Sequence, residues 1–168
     1  DIIGAKYVRD VENGEIVYIE DGKMKSLKPF PAKKIRPCVF EYIYFSRPDS
    51  ILNGECAYEY RKRLGAELAK ENQIDADLVV PVPDSGNAAA IGFSKYTGKN
   101  FDLGLIRNHY VGRTFIEPAQ KIRSLGVKLK LNANKSSIKN KKIVLIDDSL
   151  VRGTTSHKIV KMLYDAGA

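Results

Sequence analysis

Cysteines and long hydrophobic runs are both scarce in this sequence. Its 168 residues include two cysteines, Cys38 and Cys56, which are too few for a disulfide framework. No apolar run approaches the roughly 20 residues that a membrane-spanning helix needs, and no signal-peptide pattern opens the sequence. We therefore expect a cytoplasmic protein that has no disulfide scaffold and no membrane partner.

Positive charge is concentrated in one segment. The chain carries a net charge of +8 at pH 7, and the segment from Arg107 to Lys142 has ten Lys or Arg residues against one acid, Glu117. Such a segment suits either a nucleic-acid surface or a site for a compact polyanion such as pyrophosphate. A solvated basic face is the simplest alternative, and the neighbouring motifs have to decide between the three.

Residues 1–36 differ in pattern from residues 37–168. The first part predicts two strands, around Glu15–Ile19 and Lys23–Leu27, joined by the turn Asp21-Gly22. A hairpin alone is hardly stable in water. We therefore interpret residues 1–36 as the tail of a β-rich domain.

In residues 37–168 a strand–turn–helix pattern occurs twice, at Leu78–Phe93 and at Ile143–Ala166. This repetition predicts an α/β fold with a parallel sheet and flanking helices. The sequence ends directly after the second helix, so we expect a piece of a larger protein, truncated at the C-terminus, whose sheet is incomplete.

Three further segments carry local predictions. Residues Cys38–Ser46 have the β-branched and aromatic content of a strand. A helix that ends near Glu71 is predicted from apolar residues spaced along one face, namely Ala57, Tyr60, Leu64 and Leu68. Residues 111–135 show neither helical nor strand periodicity and are predicted to form a long basic loop, and loops of such length are usually functional or disordered.

The string VLIDDSLVRGTTS, residues Val144–Ser156, carries a candidate binding site. Two adjacent carboxylates, Asp147 and Asp148, follow an apolar run, and hydroxylated residues surround Gly153. Ligands of parallel sheets bind beyond the carboxyl ends of the strands, and amides at a helix N-terminus bind anions. Because carboxylates suit hydroxyl groups or Mg²⁺, the string predicts a site for a ribose 5-phosphate. A strand-end turn before an ordinary helix cap is the simpler alternative, whereas a Walker-type loop is disfavoured because GxxxxGK[ST] does not occur.

Four segments together resemble one enzyme family. They are CVFEYIYFSRPDS, VPVPDSG, RNHYVGRTFIEPAQKIRSLGVKLKLN and DDSLVRGTTS. The last is similar to the phosphoribosyl diphosphate (PRPP) signature of type I phosphoribosyltransferases, and RPDS with YVGRTFI is similar more narrowly to glutamine PRPP amidotransferases (amidophosphoribosyltransferases). The resemblance runs from about residue 37 to the last residue, and residues 1–36 resemble the end of that family's N-terminal glutaminase domain.

The resemblance implies an activity, which is the Mg²⁺-dependent displacement of pyrophosphate from PRPP by glutamine-derived ammonia. The product would be 5-phosphoribosylamine, in the first step of de novo purine biosynthesis. The implied partners are PRPP, glutamine or ammonia, purine nucleotides as feedback inhibitors and further copies of the chain, and nucleic acid is not among them. The glutaminase nucleophile of the family is an N-terminal Cys, where this sequence has Asp1.

The resemblance also implies roles for individual residues. Asp147 and Asp148 would hold the ribose hydroxyls and Mg²⁺, and Asp84 and Ser85 would meet the pyrophosphate. The 5-phosphate would be bound by the loop residues Ser149, Val151, Arg152, Gly153, Thr154 and Thr155. The catalytic loop that closes over PRPP would contain Arg107, Tyr110 and Arg113.

Two positions depart from the family pattern, and one cysteine has an implied role. Gly86 stands where some relatives have a Mg²⁺-binding Ser, so a metal contact there would pass through backbone or water. His109 stands where many relatives have Arg, which would weaken the grip of the closed loop on pyrophosphate. Cys38 matches a cysteine that ligates a [4Fe–4S] cluster in some relatives, and a small buried thiol is the alternative.

Two other functions are compatible with parts of the sequence. A PRPP-sensing regulator of purine genes could use the same fold and bind nucleic acid through the basic segment. The basic residues coincide with the YVGRTFI segment, however, and no helix-turn-helix pattern occurs. A phosphoribosyltransferase that acts on a purine base would leave RPDS unexplained.

Overall fold

The computed structural model describes residues 3–31, 33–110 and 130–168, and these form two compact units, one up to Cys38 and one from Val39 onward. None of the described helices is long and apolar enough to cross a membrane. The elements in chain order are β1 (Ile16–Glu20), β2 (Lys23–Leu27), a π-helix (Glu41–Phe45), β3 (Ile51–Leu52), β4 (Glu55–Cys56), α1 (Ala57–Glu71), β5 (Leu78–Pro81), α2 (Asn87–Thr97), β6 (Asn100–Phe101), β7 (Leu105–Arg107), β8 (Leu131–Ala133), α3 (Lys135–Ile138), β9 (Ile143–Ile146) and α4 (Thr154–Asp165).

The first unit contains the predicted hairpin. Strands β1 and β2 pair in antiparallel fashion, from Ile16 opposite Leu27 to Glu20 opposite Lys23. The turn residues Asp21 and Gly22 have φ values of 52° and 70°, as a two-residue turn that matches the strand twist requires. The hairpin prediction is confirmed, with the first strand one residue later than expected.

The second unit is built on a parallel sheet of three strands in the order β6-β5-β9. The register between β5 and β9 runs from Leu78 opposite Ile143 to Pro81 opposite Ile146. All four residues of β5 are buried, as expected for the central strand of a parallel sheet that is covered on both faces. The predicted α/β fold with a parallel sheet and flanking helices is confirmed.

Alternate residues of β5 face two different hydrophobic clusters. Leu78 and Val80 pack in one cluster with Ile159 of α4, and Val79 packs in the other with Phe93 of α2. This alternation follows from the period of two along a strand. The sheet therefore forms the middle layer, with α4 on one face and α1 and α2 on the other.

Helices α1 and α2 approach each other through backbone rather than through large side chains. A Cβ atom on Gly65 would lie 1.8 Å from the carbonyl oxygen of Ala89, and one on Gly92 would lie 1.9 Å from that of Lys62. The predicted apolar face of α1 holds for Ala57, which is buried, and Tyr60, which is partly buried, but is wrong for Leu64 and Leu68, which are 38% and 39% exposed. The buried face consists instead of Ala57, Arg61, Gly65 and Ala69.

The predicted strand at Cys38–Ser46 is wrong, because Glu41–Phe45 form a π-helix. The ring of Tyr42 packs on that of Tyr60 of α1, with ring centroids 4.7 Å apart. The aromatic residues that suggested a strand therefore serve tertiary contacts with α1, and such contacts override β propensity.

The predicted loop at residues 111–135 is wrong at its C-terminal end, where β8 and α3 form. Leu131 and Ile138 are buried in the core. Residues 111–129 lie outside the described part of the chain.

Candidate active site

Two loops meet beyond the carboxyl ends of β5 and β9. The main-chain N–H of Val82 donates to the carbonyl oxygen of Ile146 at 2.8 Å, which extends the pairing of the two strands by one residue. A Cβ atom on Gly86 would lie 2.5 Å from the same carbonyl oxygen. The loop of residues 82–86 therefore lies directly against the start of the loop that follows β9, as expected for a ligand site of a parallel sheet.

The two adjacent acids of the second loop are partly buried. Oδ1 of Asp147 accepts a hydrogen bond of 2.9 Å from the main-chain N–H of Asp148. Burial raises the pKa of Asp147 to about 6, and its interaction with the Asp148 carboxyl adds to the increase. Within the described residues Oδ2 of Asp148 is buried without a hydrogen-bond partner. A buried oxygen of this kind is costly unless it receives a donor or a cation, so it marks a binding position.

The entrance to α4 offers main-chain N–H groups to an anion. Gly153 has a φ of 71° immediately before the helix, a left-handed conformation that favours glycine. No side-chain hydrogen bond caps the helix, and among the described residues the amides of residues 149–156 have no main-chain acceptor. Unpaired amides and the positive end of the helix dipole together favour a phosphate.

The loop side chains that were predicted to bind the 5-phosphate surround this entrance. Gly153 is partly buried and the others are exposed, namely Ser149, Val151, Arg152, Thr154 and Thr155. The alternative of an ordinary side-chain helix cap does not describe this loop, because the cap residue is glycine and the hydroxyls lie beyond it.

Opposite charges meet at the end of the first loop. Nη1 of Arg107 lies 2.6 Å from Oδ2 of Asp84, and both side chains are about half exposed. Ser85, next to Asp84, is partly buried. The structure therefore brings together one predicted pyrophosphate-binding residue and one predicted catalytic residue.

Residues near the start of the basic segment pair with residues in its second half. Strands β7 and β8 pair in antiparallel fashion, and the N–H of Asn108 donates to the carbonyl oxygen of Lys130 at 2.7 Å. Tyr110, a predicted catalytic residue near this base, has a fully exposed side chain. Arg113 lies outside the described residues, and its catalytic role stays a prediction.

Known proteins with the same sequence pattern and fold were found. An amidophosphoribosyltransferase from Rhizobium etli is 56% identical over 173 aligned residues, and one from Synechocystis is 55% identical over 168, each across 100% of this chain. The solved structure of glutamine PRPP amidotransferase from B. subtilis, complexed with ADP and GMP, matches 99% of this chain at 50% identity with a TM-score of 0.85. Along its whole length the chain is therefore similar to part of the amidophosphoribosyltransferases. No protein-family model matches it.

The chain spans about a third of the length of these amidophosphoribosyltransferases. It covers 35% of the Rhizobium etli protein, 34% of the Synechocystis protein and 37% of the B. subtilis chain. A second solved structure with a TM-score of 0.85 is described as the allosteric regulatory enzyme of purine biosynthesis. Nothing in these comparisons favours a nucleic-acid-binding regulator.

The RPDS motif, Arg47-Pro48-Asp49-Ser50, supports the start of helix α1. The carbonyl oxygen of Ser50 accepts the N–H of Ala57 at 2.9 Å, and that of Pro48 accepts the N–H of Tyr58 at 2.9 Å. Two of the four orphan amides of the helix are thereby paired. RPDS, which together with YVGRTFI carries the narrower resemblance to amidophosphoribosyltransferases, thus has a structural role at the start of α1.

Gly86 is enclosed by backbone, which bears on its predicted metal contact. Its N–H donates to the carbonyl oxygen of Val82 at 2.9 Å, and its own carbonyl oxygen accepts the N–H of Ala90 at 2.9 Å. Both main-chain groups therefore have partners. A contact between Gly86 and Mg²⁺ stays a prediction, and water is the simpler route for it.

Replacing Gly86 with serine, the residue of some relatives, should distort the loop of residues 82–86. The new Cβ atom would lie 2.5 Å from the Ile146 oxygen and 2.9 Å from the Val82 oxygen, so one of the two loops would have to move. We expect a loss of about 2 kcal/mol in the free energy of unfolding, which is typical of overpacking, measured by denaturant titration. A Gly86→Ser variant as stable as the parent would show that the two loops separate easily.

Metal-binding side chains are sparse in the described part of the chain. It contains no group of three or more His, Cys, Asp or Glu side chains placed to hold a metal. The thiol of Cys38 is exposed, and the sequence has one other cysteine, Cys56. Iron–sulfur ligation by Cys38 therefore stays a prediction, and this chain alone does not supply the four thiolates that such a cluster takes. The alternative of a small buried thiol at Cys38 is wrong, because the residue is exposed.

One buried residue of the site region was not predicted from the sequence. Arg61 of α1 is 7% exposed, and burial lowers its pKa. Its burial could have been inferred from its spacing, because a residue four positions after Ala57 and four before Gly65 lies on the same face of a helix. Its Nε–H and Nη2 donate to the main-chain oxygens of Tyr42 and Ser46 at 2.7 Å and 2.8 Å.

Proposed function

We propose that the protein that carries this chain is an amidophosphoribosyltransferase, which displaces pyrophosphate from C1 of PRPP with ammonia. One observation carries the proposal: partly buried acids and an amide-lined helix entrance follow the same strand, and the loop beside them holds Asp84, which is ion-paired to Arg107 of β7. A sugar phosphate that has both hydroxyls and phosphates would find partners for each. The names of the relatives support the same activity.

In this proposal the ribose and its 5-phosphate bind along the loop that follows β9. Asp147 and Asp148 accept hydrogen bonds from the ribose hydroxyls, and the amides at the entrance to α4 bind the phosphate. The hydroxyls of Ser149, Thr154 and Thr155 add donors. Val151, Arg152 and Gly153 shape the loop around the phosphate.

The pyrophosphate end of PRPP lies near Asp84, Ser85 and Arg107. The ion pair between Asp84 and Arg107 is about half exposed, and such pairs contribute little to stability. Arg107 can therefore exchange Asp84 for a pyrophosphate oxygen at small cost. Arg113 and Tyr110 belong to the same proposed loop, which excludes water from the site while ammonia attacks.

The reaction breaks the bond between C1 and the pyrophosphate oxygen and forms a bond between C1 and nitrogen. Positive charge develops on the sugar and negative charge on the leaving group, so the cationic side chain of Arg107 and main-chain N–H groups stabilise the departure. No side chain of the described residues has to act as a general acid in this scheme. The nitrogen loses a proton to solvent once the product, 5-phosphoribosylamine, has formed.

Mg²⁺ is the proposed cofactor, and the residues fit it. This ion binds through one or two carboxylates, with phosphate and water oxygens as its other ligands, and the unpaired buried oxygen of Asp148 beside Asp147 offers such carboxylates. When bound, Mg²⁺ would neutralise charge on the pyrophosphate. An iron–sulfur cluster enters no step of this scheme.

The remaining partners also belong to the proposal. Ammonia would come from glutamine, cleaved in a glutaminase domain to which residues 1–36 belong, with residues 37–168 in the phosphoribosyltransferase domain. Because the B. subtilis relative was solved with ADP and GMP, purine nucleotides are the proposed feedback inhibitors. A homo-oligomer in the cytoplasm completes the proposal.

Pyrophosphate release is the direct test. The complete protein, supplied with PRPP, Mg²⁺ and an ammonium salt at mildly alkaline pH, should release pyrophosphate only when all three are present. Glutamine should replace ammonia if the glutaminase domain is present and active. Release that depends on a purine base instead of ammonia would overturn the proposal in favour of another phosphoribosyltransferase.

A further inference from the structure

One ion pair joins two separate parts of the chain at the candidate active site. Nη1 of Arg107, on β7, lies 2.6 Å from Oδ2 of Asp84, which stands 23 residues earlier in the loop of residues 82–86. The two side chains are 42% and 51% exposed, so a ligand from solvent can reach both. The pair therefore connects the loop that follows β5 to the first residue of the basic segment.

The main chain on both sides of this pair is supported by packing. The loop of residues 82–86 lies against β9, where a Cβ atom on Gly86 would be 2.5 Å from the carbonyl oxygen of Ile146. Arg107 is paired with Leu131 between β7 and β8, and Leu131 is buried. Because an arginine side chain has many rotamers, the ion pair rather than the backbone decides where the guanidinium group lies.

The contact occupies only one nitrogen of the guanidinium group. Among the described residues, the hydrogen bond from Nη1 to Asp84 is the one that the side chain of Arg107 makes. Arg9, in contrast, binds Glu15 through both Nη1 and Nη2. A guanidinium group carries several N–H donors in a rigid fork, so Arg107 has donors left for a second anion while it stays bound to Asp84.

Asp84 itself is a poor direct partner for pyrophosphate. A carboxylate and a phosphate are both anions, and they repel each other unless a cation lies between them. The guanidinium group of Arg107 is such a cation, and it already lies against the carboxylate. A role of Asp84 through Arg107 fits this chemistry better than direct contact does.

We propose that Asp84 is a positioning residue, which holds Nη1 of Arg107 and thereby orients the remaining donors of the guanidinium group toward the leaving pyrophosphate. The inference rests on the proposed function, because Arg107 stabilises the leaving group there. It goes further in that the ion pair persists when pyrophosphate is bound, so that Arg107 bridges the carboxylate and the ligand. Asp84 touches neither the sugar nor the pyrophosphate.

Binding of inorganic pyrophosphate to the complete protein tests this role, measured by titration calorimetry with Mg²⁺ present. Asp84→Ala should weaken binding about threefold, which is the size expected for coupling through a half-exposed ion pair. In an Arg107→Ala background the same substitution should not weaken binding, because the group that Asp84 positions is absent. Asp84→Asn, which keeps an oxygen acceptor for Nη1, should recover most of the loss.

Several results of this cycle would overturn the proposal. Tighter binding in Asp84→Ala would show that Asp84 competes with pyrophosphate for Arg107. An equal loss with and without Arg107 would show that Asp84 contacts the pyrophosphate or its Mg²⁺ directly. Unchanged binding in Asp84→Ala, or a parent protein that does not bind pyrophosphate, would leave Asp84 without a positioning role.

A second ion pair on the same sheet provides the matched control. Nζ of Lys142 lies 2.7 Å from Oδ2 of Asp75, and both side chains are exposed. These residues precede β9 and β5, at the ends of the strands opposite to the candidate active site. Asp75→Ala should leave the affinity for pyrophosphate unchanged. A loss equal to that in Asp84→Ala would show that removal of any surface ion pair is sufficient, and would overturn the inference.

Pyrophosphate release from PRPP separates this inference from the proposed function. If the parent protein releases pyrophosphate with ammonia but the substitutions at Asp84 and Arg107 act independently on binding, the function stands and the positioning role fails. If the effect of Asp84→Ala on binding depends on Arg107 but the parent releases no pyrophosphate from PRPP, the proposed function fails and the positioning role stands.

Discussion

Replacing Gly65 with alanine should destabilise the second unit by about 3 kcal/mol or more, although alanine is the better helix former by about 1 kcal/mol. The new Cβ atom would lie 1.8 Å from the carbonyl oxygen of Ala89, and a helix backbone cannot move aside as a side chain can. Helices α1 and α2 would have to separate, which opens their whole contact. Denaturant unfolding should show a lower midpoint with an unchanged slope.

Gly92→Ala provides a second measurement of the same contact. Its Cβ atom would meet the carbonyl oxygen of Lys62 at 1.9 Å, so the single loss should be similar. Once the helices have separated, the second alanine should cost less than the first, and the double variant should fall short of additivity. Lys95→Ala, on an exposed position of α2, is the matched control and should be close to neutral. A Gly65→Ala variant that is more stable than the parent would mean that helix propensity outweighs the close approach.

The close approach of α1 and α2 also positions two parts of the site. Helix α2 begins at Asn87, directly after the loop that contains Asp84 and Ser85. Arg61 lies on the buried face of α1 one turn before Gly65. The distance between the two helices therefore sets the positions of the loop of residues 82–86 and of Arg61 relative to the sheet.

The sequence predicted the parts of the fold that follow from periodicity and turn chemistry. The strand runs at Leu78–Pro81 and Ile143–Ile146 are short, apolar and followed by polar loops, so their type could be inferred. Ligand binding at their carboxyl ends stays a prediction. An anion site before α4 is predicted because a glycine and several hydroxyls stand where a strand gives way to a helix. Each of these signals is local.

Features that depend on distant partners were not predictable in the same way. Leu64 and Leu68 suggested the buried face of α1, but the backbone of α2 selects the face of small residues. The aromatic run before RPDS suggested a strand, but Tyr42 packs on Tyr60, and Arg61 binds the carbonyls around it. In both cases the tertiary contact outweighs a weak local propensity.

The two acids after β9 lead to opposite trends for stability and activity. The folded protein holds the proton of Asp147 more tightly than an ordinary aspartate does, since its pKa is raised from 3.8 to about 6. The native state therefore binds more protons than the unfolded state between these values. Stability from this group is present below about pH 4 and is lost as the pH rises through about 6.

Activity should rise over the range in which that stability is lost. A neutral Asp147 is a poor acceptor for two hydroxyl hydrogen bonds and a poor ligand for Mg²⁺. We therefore expect kcat/KM for PRPP to fall about tenfold for each pH unit below about 6. The measurement uses a Mg²⁺ concentration close to that of PRPP. Asp147→Asn should lower kcat/KM about a hundredfold and remove this acid limb, since no titrating carboxyl remains at that position. Lys95→Ala should keep both the rate and the limb, because its side chain lies on the exposed face of α2. If Asp147→Asn keeps the decrease in kcat/KM at low pH, that decrease belongs to another group. If kcat/KM of the parent enzyme is flat from pH 7 to about pH 5, the Asp147 carboxyl is not needed in its ionised form.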